Sequence, residues 1–173
     1  MYESIEDKTI KYILSNHDSL QENIHSRVIE YYKELGTVDE FIRSASLNHN
    51  GSEKLVGGDL DSIVWLYKKN MYDYEKEIKI GLKQLSEEQE HINRVWICYK
   101  TLPKEEYEIL TNLYVKGELY KKVEIESGLN HRKFEKVRKG AIDRIKELYE
   151  SKRSNIDIIV NKGKEYEQLR LNL

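Results

Sequence analysis

The chain has 173 residues, of which 39% are hydrophobic and 35% are charged, and its net charge is −2. This balance excludes a thick α/β core and favours slender helices with broad solvated faces, so we expect an all-α fold. No stretch approaches the roughly 20 apolar residues that span a bilayer, and the N-terminus is acidic where a signal peptide is basic. Cys98 has no partner for a disulfide within the chain. Together these observations predict a cytoplasmic protein.

The N-terminal region predicts several short helices. A first apolar stripe is followed by Asp18 or Ser19, either of which can cap a second helix. Gly36 is placed to end that helix, because only glycine adopts the left-handed conformation at low cost. Thr37 and Glu40 form a capping-box pair that would open a third helix. We therefore expect packed N-terminal helices rather than one long one.

Residues 46–59 predict a loop, with a small hairpin at Asn50-Gly51. A long coiled-coil-like helix then follows, in which Ser86 and Gln89 form a capping box where the helix could restart. Its seam consists of Leu60, Val64, Tyr67, Met71, Tyr74, Ile78 and Leu85, with Gly81 at the one weak place. The seam could pack against helices from residues 4–45 or against a second copy of the chain, as a homodimer through residues 60–99.

Three further helices are predicted between residues 102 and 150. Pro103 suits the first turn of the first helix, and Gly117 ends it. A short helix follows, Gly128 provides a tight turn, and Asn130 is a good N-cap for the last helix. The apolar residues of these helices are Tyr107, Leu110, Leu113, Tyr114, Tyr120, Val123, Phe134, Val137, Ala141, Ile142 and Ile145.

Basic charge is concentrated in this region. Residues 1–101 carry 13 Lys/Arg and 18 Asp/Glu, whereas residues 121–153 carry 11 Lys/Arg and 6 Asp/Glu. A local excess of cations is typical of a phosphate-binding surface, although a solvated lysine-rich helix gives the same count. The outward face of the last predicted helix presents His131, Arg132, Lys133, Lys136 and Lys139.

The ordered pattern of residues 102–145 resembles region 4 of the primary bacterial sigma factors, and more closely the short phage regulators of the ArpU and RinA type. The resemblance covers about a quarter of the chain. The matching positions are Leu102, Pro103, Leu110, Leu113, Tyr114, Gly117, Tyr120, Val123, Gly128, Leu129, Val137, Ala141 and Ile142. The resemblance implies a DNA-binding helix-turn-helix in a transcriptional regulator of phage or mobile-element type, acting in a bacterial host cell.

Such a motif would place the helix of about residues 130–149 in the major groove of double-stranded DNA. Arg132 and Lys133 would contact base edges, with Lys136 one turn further on. Lys121, Lys122, Lys139 and Arg144 would contact phosphates. Asn130 and His131, at the N-terminal end of the same helix, complete the expected DNA-binding set. RNA polymerase is the expected protein partner.

Two positions depart from the family pattern. Glu124 stands where a small residue allows the two helices to cross closely, and Ser127 stands where an apolar residue is usual. A buried unpaired carboxylate would be costly, so Glu124 must point outward or pair with a lysine or arginine. Two alternatives therefore stay open: a DNA-packaging protein similar to a small terminase subunit, and a protein-interaction or inhibitor module built on a diverted helix-turn-helix.

No catalytic site, metal site or cofactor is predicted. The histidines (His17, His25, His49, His91 and His131) show no ligand spacing with one another or with Cys98. The expected organisation is a helical accessory or oligomerisation region over residues 1–100, a helix-turn-helix domain over 101–150 and a tail over 151–173. In the tail, Ile156, Ile158, Ile159 and Val160 fit either a short strand or a last helical turn.

Overall fold

The computed structural model describes residues 4–48 and 58–162, and the regular structure in these two ranges is helical throughout, which confirms the all-α class. The helices are α1 (Asp7–Asn48), α2 (Gly58–Lys100), α3 (Lys104–Leu110), a π-helical turn (Thr111–Val115), α4 (Tyr120–Glu126), α5 (His131–Glu150) and a last segment, α6, over residues 155–162. In the described ranges, none of the helices combines the length and apolarity that crossing a membrane requires.

The expected series of N-terminal helices is correct only for its first boundary: α1 spans Asp7 to Asn48 with one kink near residue 16, and it continues through the second expected boundary at Gly36 and Thr37. Gly36 does not end a helix, and Thr37 forms no capping box: its hydroxyl group donates to the carbonyl oxygen of Lys33 at 3.1 Å, within the helix. One kink occurs, at Asn16, whose φ of −126° and ψ of 16° are not helical. The Asn16 amide donates to the Tyr12 carbonyl at 2.9 Å, which explains why the helix bends there.

The predicted loop and the predicted restart are also corrected. α1 continues through residues 46–48, and α2 already begins at Gly58, inside the segment 46–59 that was expected to be a loop. The hairpin predicted at Asn50-Gly51 lies outside the described residues. Ser86 caps nothing, because α2 passes through it without interruption.

The chain divides into two compact units, and residues 21–89 form one of them. In this unit α1 and α2 run antiparallel: the Tyr74 hydroxyl donates to Glu34 at 2.9 Å, and Arg27 lies 3.6 Å from Glu88. Ile78 and Leu85 of the predicted seam are buried within a single chain. At these two positions the seam is therefore satisfied inside the chain and does not require a second copy.

Gly81 interrupts the apolar seam, and the ring of Tyr31 explains why a glycine stands there. An added Cβ atom at Gly81 would lie 2.7 Å from both Cζ and the hydroxyl oxygen of Tyr31. The missing side chain therefore makes room for the Tyr31 ring between the two helices. Gly36 differs, because an added Cβ atom there would meet nothing within 4 Å.

These two glycines give a matched test. We expect Gly36→Ala to raise the free energy of unfolding by about 1 kcal/mol, because alanine is the better helix former and its methyl group meets no obstacle. Gly81→Ala should give no net gain, because the same propensity gain is offset by displacing the Tyr31 ring. Urea denaturation of dilute protein measures both values. Equal gains for the two variants would contradict the packing described for Tyr31.

The other unit comprises residues 1–20 and 90–173, and a buried arginine on α2 lies at its centre. Arg94 is fully buried. Its Nε atom donates to the carbonyl oxygen of Tyr149 at 2.8 Å, and Nη2 donates to those of Leu148 at 3.2 Å and Ser151 at 2.8 Å. Its Nη1 atom donates to the Asn155 side chain at 2.9 Å. The guanidinium group thus caps the C-terminal end of α5, where unpaired carbonyl groups and the helix dipole favour a cation.

The same end of α5 is tied to two further elements. The Glu150 carboxylate accepts hydrogen bonds from the Ser4 hydroxyl at 3.0 Å and the Ile5 N–H at 3.2 Å, ahead of α1. A reciprocal capping box between Ser154 and Asp157 opens α6. Ile158 is buried. Of the two alternatives for the tail, the helical one is therefore correct for residues 155–162.

Removing the Arg94 guanidinium should be costly. We expect Arg94→Met to lower the free energy of unfolding by about 3 kcal/mol, because several buried carbonyl groups at the end of α5 lose their donors together. Arg27→Met is the matched control, since Arg27 is half exposed and its ion pair with Glu88 spans 3.6 Å. We expect a change of less than about 1 kcal/mol for the control. Urea denaturation measures both, and similar losses for the two variants would contradict the role of Arg94.

Candidate nucleic-acid interface

α4 and α5 are joined by a tight turn whose geometry comes from one glycine and two polar side chains. Gly128 has a φ of +67°, a conformation that residues with a Cβ atom rarely adopt. The Ser127 hydroxyl donates to the Glu124 carbonyl at 2.7 Å and accepts from the Leu129 N–H at 3.2 Å. The Asn130 side chain accepts from the Lys133 N–H at 2.9 Å, which makes it the N-cap of α5 as expected. The turn therefore fixes the direction in which α5 begins.

A small apolar core holds α3, α4 and α5 together. Ile109, Val123 and Phe134, one from each helix, are buried against one another. The ring of Tyr120 meets that of Phe134 edge to face, with 5.2 Å between their centroids. Further side chains around this core are Leu113, Leu129 and Val137. Gly117, with a φ of +66°, allows the chain to leave the π-helical turn toward α4.

A polar network, here called the clamp, lies beside this core and consists of Tyr114, Tyr120, Glu135 and Arg138. Two nitrogen atoms of Arg138 donate to the two oxygen atoms of Glu135, each at 2.9 Å. The third Arg138 nitrogen donates to the Tyr114 hydroxyl at 2.9 Å, and the Tyr120 hydroxyl donates to Glu135. The clamp therefore joins the π-helical turn, α4 and α5 through charge-assisted hydrogen bonds.

The clamp shifts the pKa values of its members. Hydrogen bonds from Arg138 and then Tyr120 lower the pKa of Glu135 to about 2. Burial, followed by the hydrogen bond to Glu135, raises the pKa of Tyr120 to about 12. The Glu135 carboxylate is therefore charged, and the Tyr120 hydroxyl protonated, at every pH near neutrality.

Acid should weaken the clamp in a defined pH range. The pKa of Glu135 is lower in the folded chain, about 2, than its ordinary value of 4.5, so its contribution to stability is complete above pH 4.5 and is lost as the pH falls toward 2. We expect Glu135→Gln to lower the free energy of unfolding on the order of 2 kcal/mol at neutral pH. The difference between wild type and variant should shrink between pH 4.5 and 2. Urea denaturation over this range measures it, and a difference independent of pH would contradict the ionic role of Glu135.

The side of α5 opposite the core carries exposed cations, here called the basic face: Arg132, Lys133, Lys136 and Lys139. Within the part of the chain that the structure describes, Arg132, Lys133 and Lys136 form no ion pair. Lys139 makes only a long contact of 3.9 Å with Glu135. The opposite side of α5 buries Phe134, Ala141, Ile142 and Ile145. The N-terminal half of α5 therefore offers several unneutralised cations on one surface.

The other predicted site residues are placed differently. Lys121 is exposed on α4, whereas Lys122 lies between Glu118 at 3.3 Å and Glu126 at 3.8 Å. Arg144 lies 3.2 Å from Glu106 of α3, and burial raises the pKa of that carboxyl group while Arg144 opposes the shift. His131 is exposed, and its Nδ1 atom donates to Glu124 at 2.9 Å. Lys122, Arg144 and His131 are thus already engaged within the chain.

The two departures from the family pattern have local explanations. Glu124 is only partly buried, and its partner is His131 rather than the lysine or arginine expected. Ser127 is half buried, and its hydroxyl group makes the two turn hydrogen bonds described above. Neither residue therefore leaves an unsatisfied polar group in the space between α4 and α5.

Sequence reasoning missed Arg94 and the Glu135–Arg138 pair as the groups that position the basic face. Arg138 was indistinguishable by residue type from its exposed neighbours, although its spacing of three from Glu135 is that of a helical ion pair. Arg94 carried no comparable signal, because its partners are the carbonyl groups of Tyr149, Leu148 and Ser151 and the Asn155 side chain, all distant in sequence. Cys98, one turn further along the same side of α2, is also fully buried.

Comparison with known proteins gives no relative: no protein family, curated protein or solved structure matches the chain. Among residues 4–48 and 58–162, no cluster of three or more His, Cys, Asp or Glu side chains could hold a metal ion. Burial raises the pKa of the Cys98 thiol to about 11, so the thiolate that a cysteine nucleophile needs does not form near neutral pH.

Proposed function

We propose that this protein is a sequence-specific DNA-binding regulator of transcription, of phage or mobile-element type, and not an enzyme. Residues 101–150 would act as a helix-turn-helix similar to region 4 of sigma factors, with α5 as the recognition helix in the major groove. The basic face carries this proposal, because it places unneutralised cations at the N-terminal half of a helix that a core, a capped turn and the clamp hold in place.

The dimensions of α5 suit this role. Its 20 residues make a helix about 30 Å long, and the major groove of B-DNA, about 12 Å wide, admits one α-helix. Helix-turn-helix proteins contact base edges with the N-terminal residues of the recognition helix. Arg132 and Lys133 stand there, and the arginine fork matches the O6 and N7 atoms of guanine.

The ion pairs within the chain indicate how much each remaining basic residue would contribute to DNA affinity. Lys121, Lys136 and Lys139 would add affinity by contacting phosphates, and they would break no close ion pair that the structure describes to do so. Lys122 and Arg144 would first have to leave carboxylate partners, so we assign them smaller contributions. Asn130 would act by capping α5, since its side-chain oxygen is used there, and His131 would act by holding Glu124.

Binding to a pool of random duplex DNA across a salt series tests the proposal. We expect one sequence to be enriched, and Arg132→Ala/Lys133→Ala to weaken binding to it by about tenfold to a hundredfold while leaving binding to unrelated DNA less affected. Lys69→Ala/Lys76→Ala is the matched control: it removes the same charge from exposed positions of α2 and should leave sequence preference unchanged.

Weak binding without sequence preference, equal in both double variants and lost at physiological salt, would contradict the regulator. That result would favour a protein partner, for which α4 offers an observation. Leu119 and Ile125, at the two ends of α4, are each 79% exposed although both are large and apolar. They suit a contact with RNA polymerase in the regulator, or the main contact of an interaction module.

A further inference from the structure

We propose that the outward face of α1 pairs antiparallel with the same face of a second copy of this chain, about a two-fold axis between Tyr32 and Lys33. The proposal concerns self-association alone and does not rest on DNA binding. The face, here called the α1 stripe, is a set of exposed residues along one side of the helix, spaced three or four apart except for the adjacent pair at its centre: Glu22, His25, Ile29, Tyr32, Lys33, Gly36, Glu40 and Arg43.

Among the residues that the structure describes, the α1 stripe faces solvent and not the interior of its unit. Among the α1 side chains of this unit that the structure describes, Ile24 and Val38 are buried, and both lie on the other side of the helix. Ile29 is 41% exposed and Tyr32 is 64% exposed, so two large apolar side chains face solvent at the centre of the stripe. Of the charged residues in the stripe, none forms an ion pair with a side chain that the structure describes.

No contact among the described residues explains why position 36 of the helix is a glycine. Glycine in the middle of a helix costs about 1 kcal/mol relative to alanine, yet a Cβ atom at Gly36 would meet nothing within 4 Å. A missing side chain on an exposed helix face allows another backbone or a large side chain to come close. An antiparallel partner about the proposed axis places its Ile29 directly opposite Gly36, and the symmetry repeats this contact on the other side.

The charges of the α1 stripe fit this antiparallel arrangement. About the same axis, Glu22 of each copy faces Arg43 of the other, and His25 faces Glu40. Glu22 and Arg43 lie about 30 Å apart along one helix at 1.5 Å per residue, so they can pair only between copies. A parallel arrangement would instead bring each of these residues against its own copy, with like charges opposed.

The centre of the contact is also complementary. On the axis, Tyr32 of one copy lies beside Lys33 of the other, where an ammonium group can stack on an aromatic ring. Ile29, Tyr32, Lys33 and Gly36 thus occupy the middle of the stripe, and charged residues of opposite sign face each other toward both ends. In an antiparallel pair, each residue of the stripe therefore faces a complementary residue of the same stripe in the other copy. This self-complementarity favours a second copy over an unrelated partner.

Charge reversal tests the arrangement without disturbing the fold. Sedimentation equilibrium of the full chain should show a dimer that Glu22→Arg or Arg43→Glu each weakens at least about tenfold, since like charges then face each other. An equal mixture of the two variants should form a heterodimer, detected by native mass spectrometry, because both ionic pairs are restored between unlike chains. Glu30→Arg is the control, an exposed glutamate of α1 outside the stripe, and should leave the dimer unchanged.

Gly36→Gln separates the proposed contact from folding. Glutamine is the better helix former, so we expect a higher melting temperature for the single chain together with a weaker dimer. A wild-type chain that stays monomeric at the highest concentration it tolerates would overturn the proposal. A dimer whose dissociation constant is unchanged by Gly36→Gln would also overturn it, as would a mixture of the two charge variants in which no heterodimer forms.

Discussion

Arg94 lies fully buried on α2 and donates hydrogen bonds to the last carbonyl groups of α5 and to Asn155 beyond it. A buried cation is stable only where polar groups replace the water it has lost, and the C-terminal end of a helix supplies several carbonyl groups with a negative dipole. Arg94 therefore holds the C-terminal end of α5 against α2. Glu150, in the last turn of α5, also accepts hydrogen bonds from Ser4 and the backbone of Ile5, so two parts of the chain hold this end.

The N-terminal end of α5 is positioned by different means. Asn130 caps the helix, Gly128 supplies the turn, and the clamp joins Glu135 and Arg138 to tyrosines of the preceding elements. With both ends held, the cations of the basic face have a fixed spacing along a rigid helix. Such preorganisation matters for reading a base sequence, because bidentate contacts tolerate little error in position.

The fold class and the elements of residues 102–150 could be predicted from sequence, because their signals are local. Pro103, Gly117, Gly128 and Asn130 each act on their own backbone, and each stands at the boundary where it was expected. In the N-terminal region the same reasoning located the kink near Asn16 but wrongly divided the helix at Gly36. Gly36 and the Thr37–Glu40 pair are weak boundary signals, and a helix supported along its length by a neighbour continues through them.

The exposure of the candidate site residues was predicted in part, but their ion pairs were not. Arg132, Lys133 and Lys136 stand exposed on one face, as their helical spacing indicated. Sequence could not distinguish them from Arg138 or Arg144, because an arginine that pairs inside the chain and one that faces solvent are the same residue type. Only the fold brings Glu106 to Arg144 and Tyr114 to Arg138. The partners of a charged residue therefore decide its role, and those partners are distant in sequence.

Lysine acetylation of the full chain, with and without a duplex enriched from the random pool, tests most directly the proposal that α5 reads DNA. Mass spectrometry of the modified protein reports each lysine separately. The account predicts that DNA protects Lys133, Lys136 and Lys139 strongly and Lys121 less, while Lys69 and Lys76 react as in free protein. Unchanged reactivity of Lys133 and Lys136 in the bound protein would contradict it.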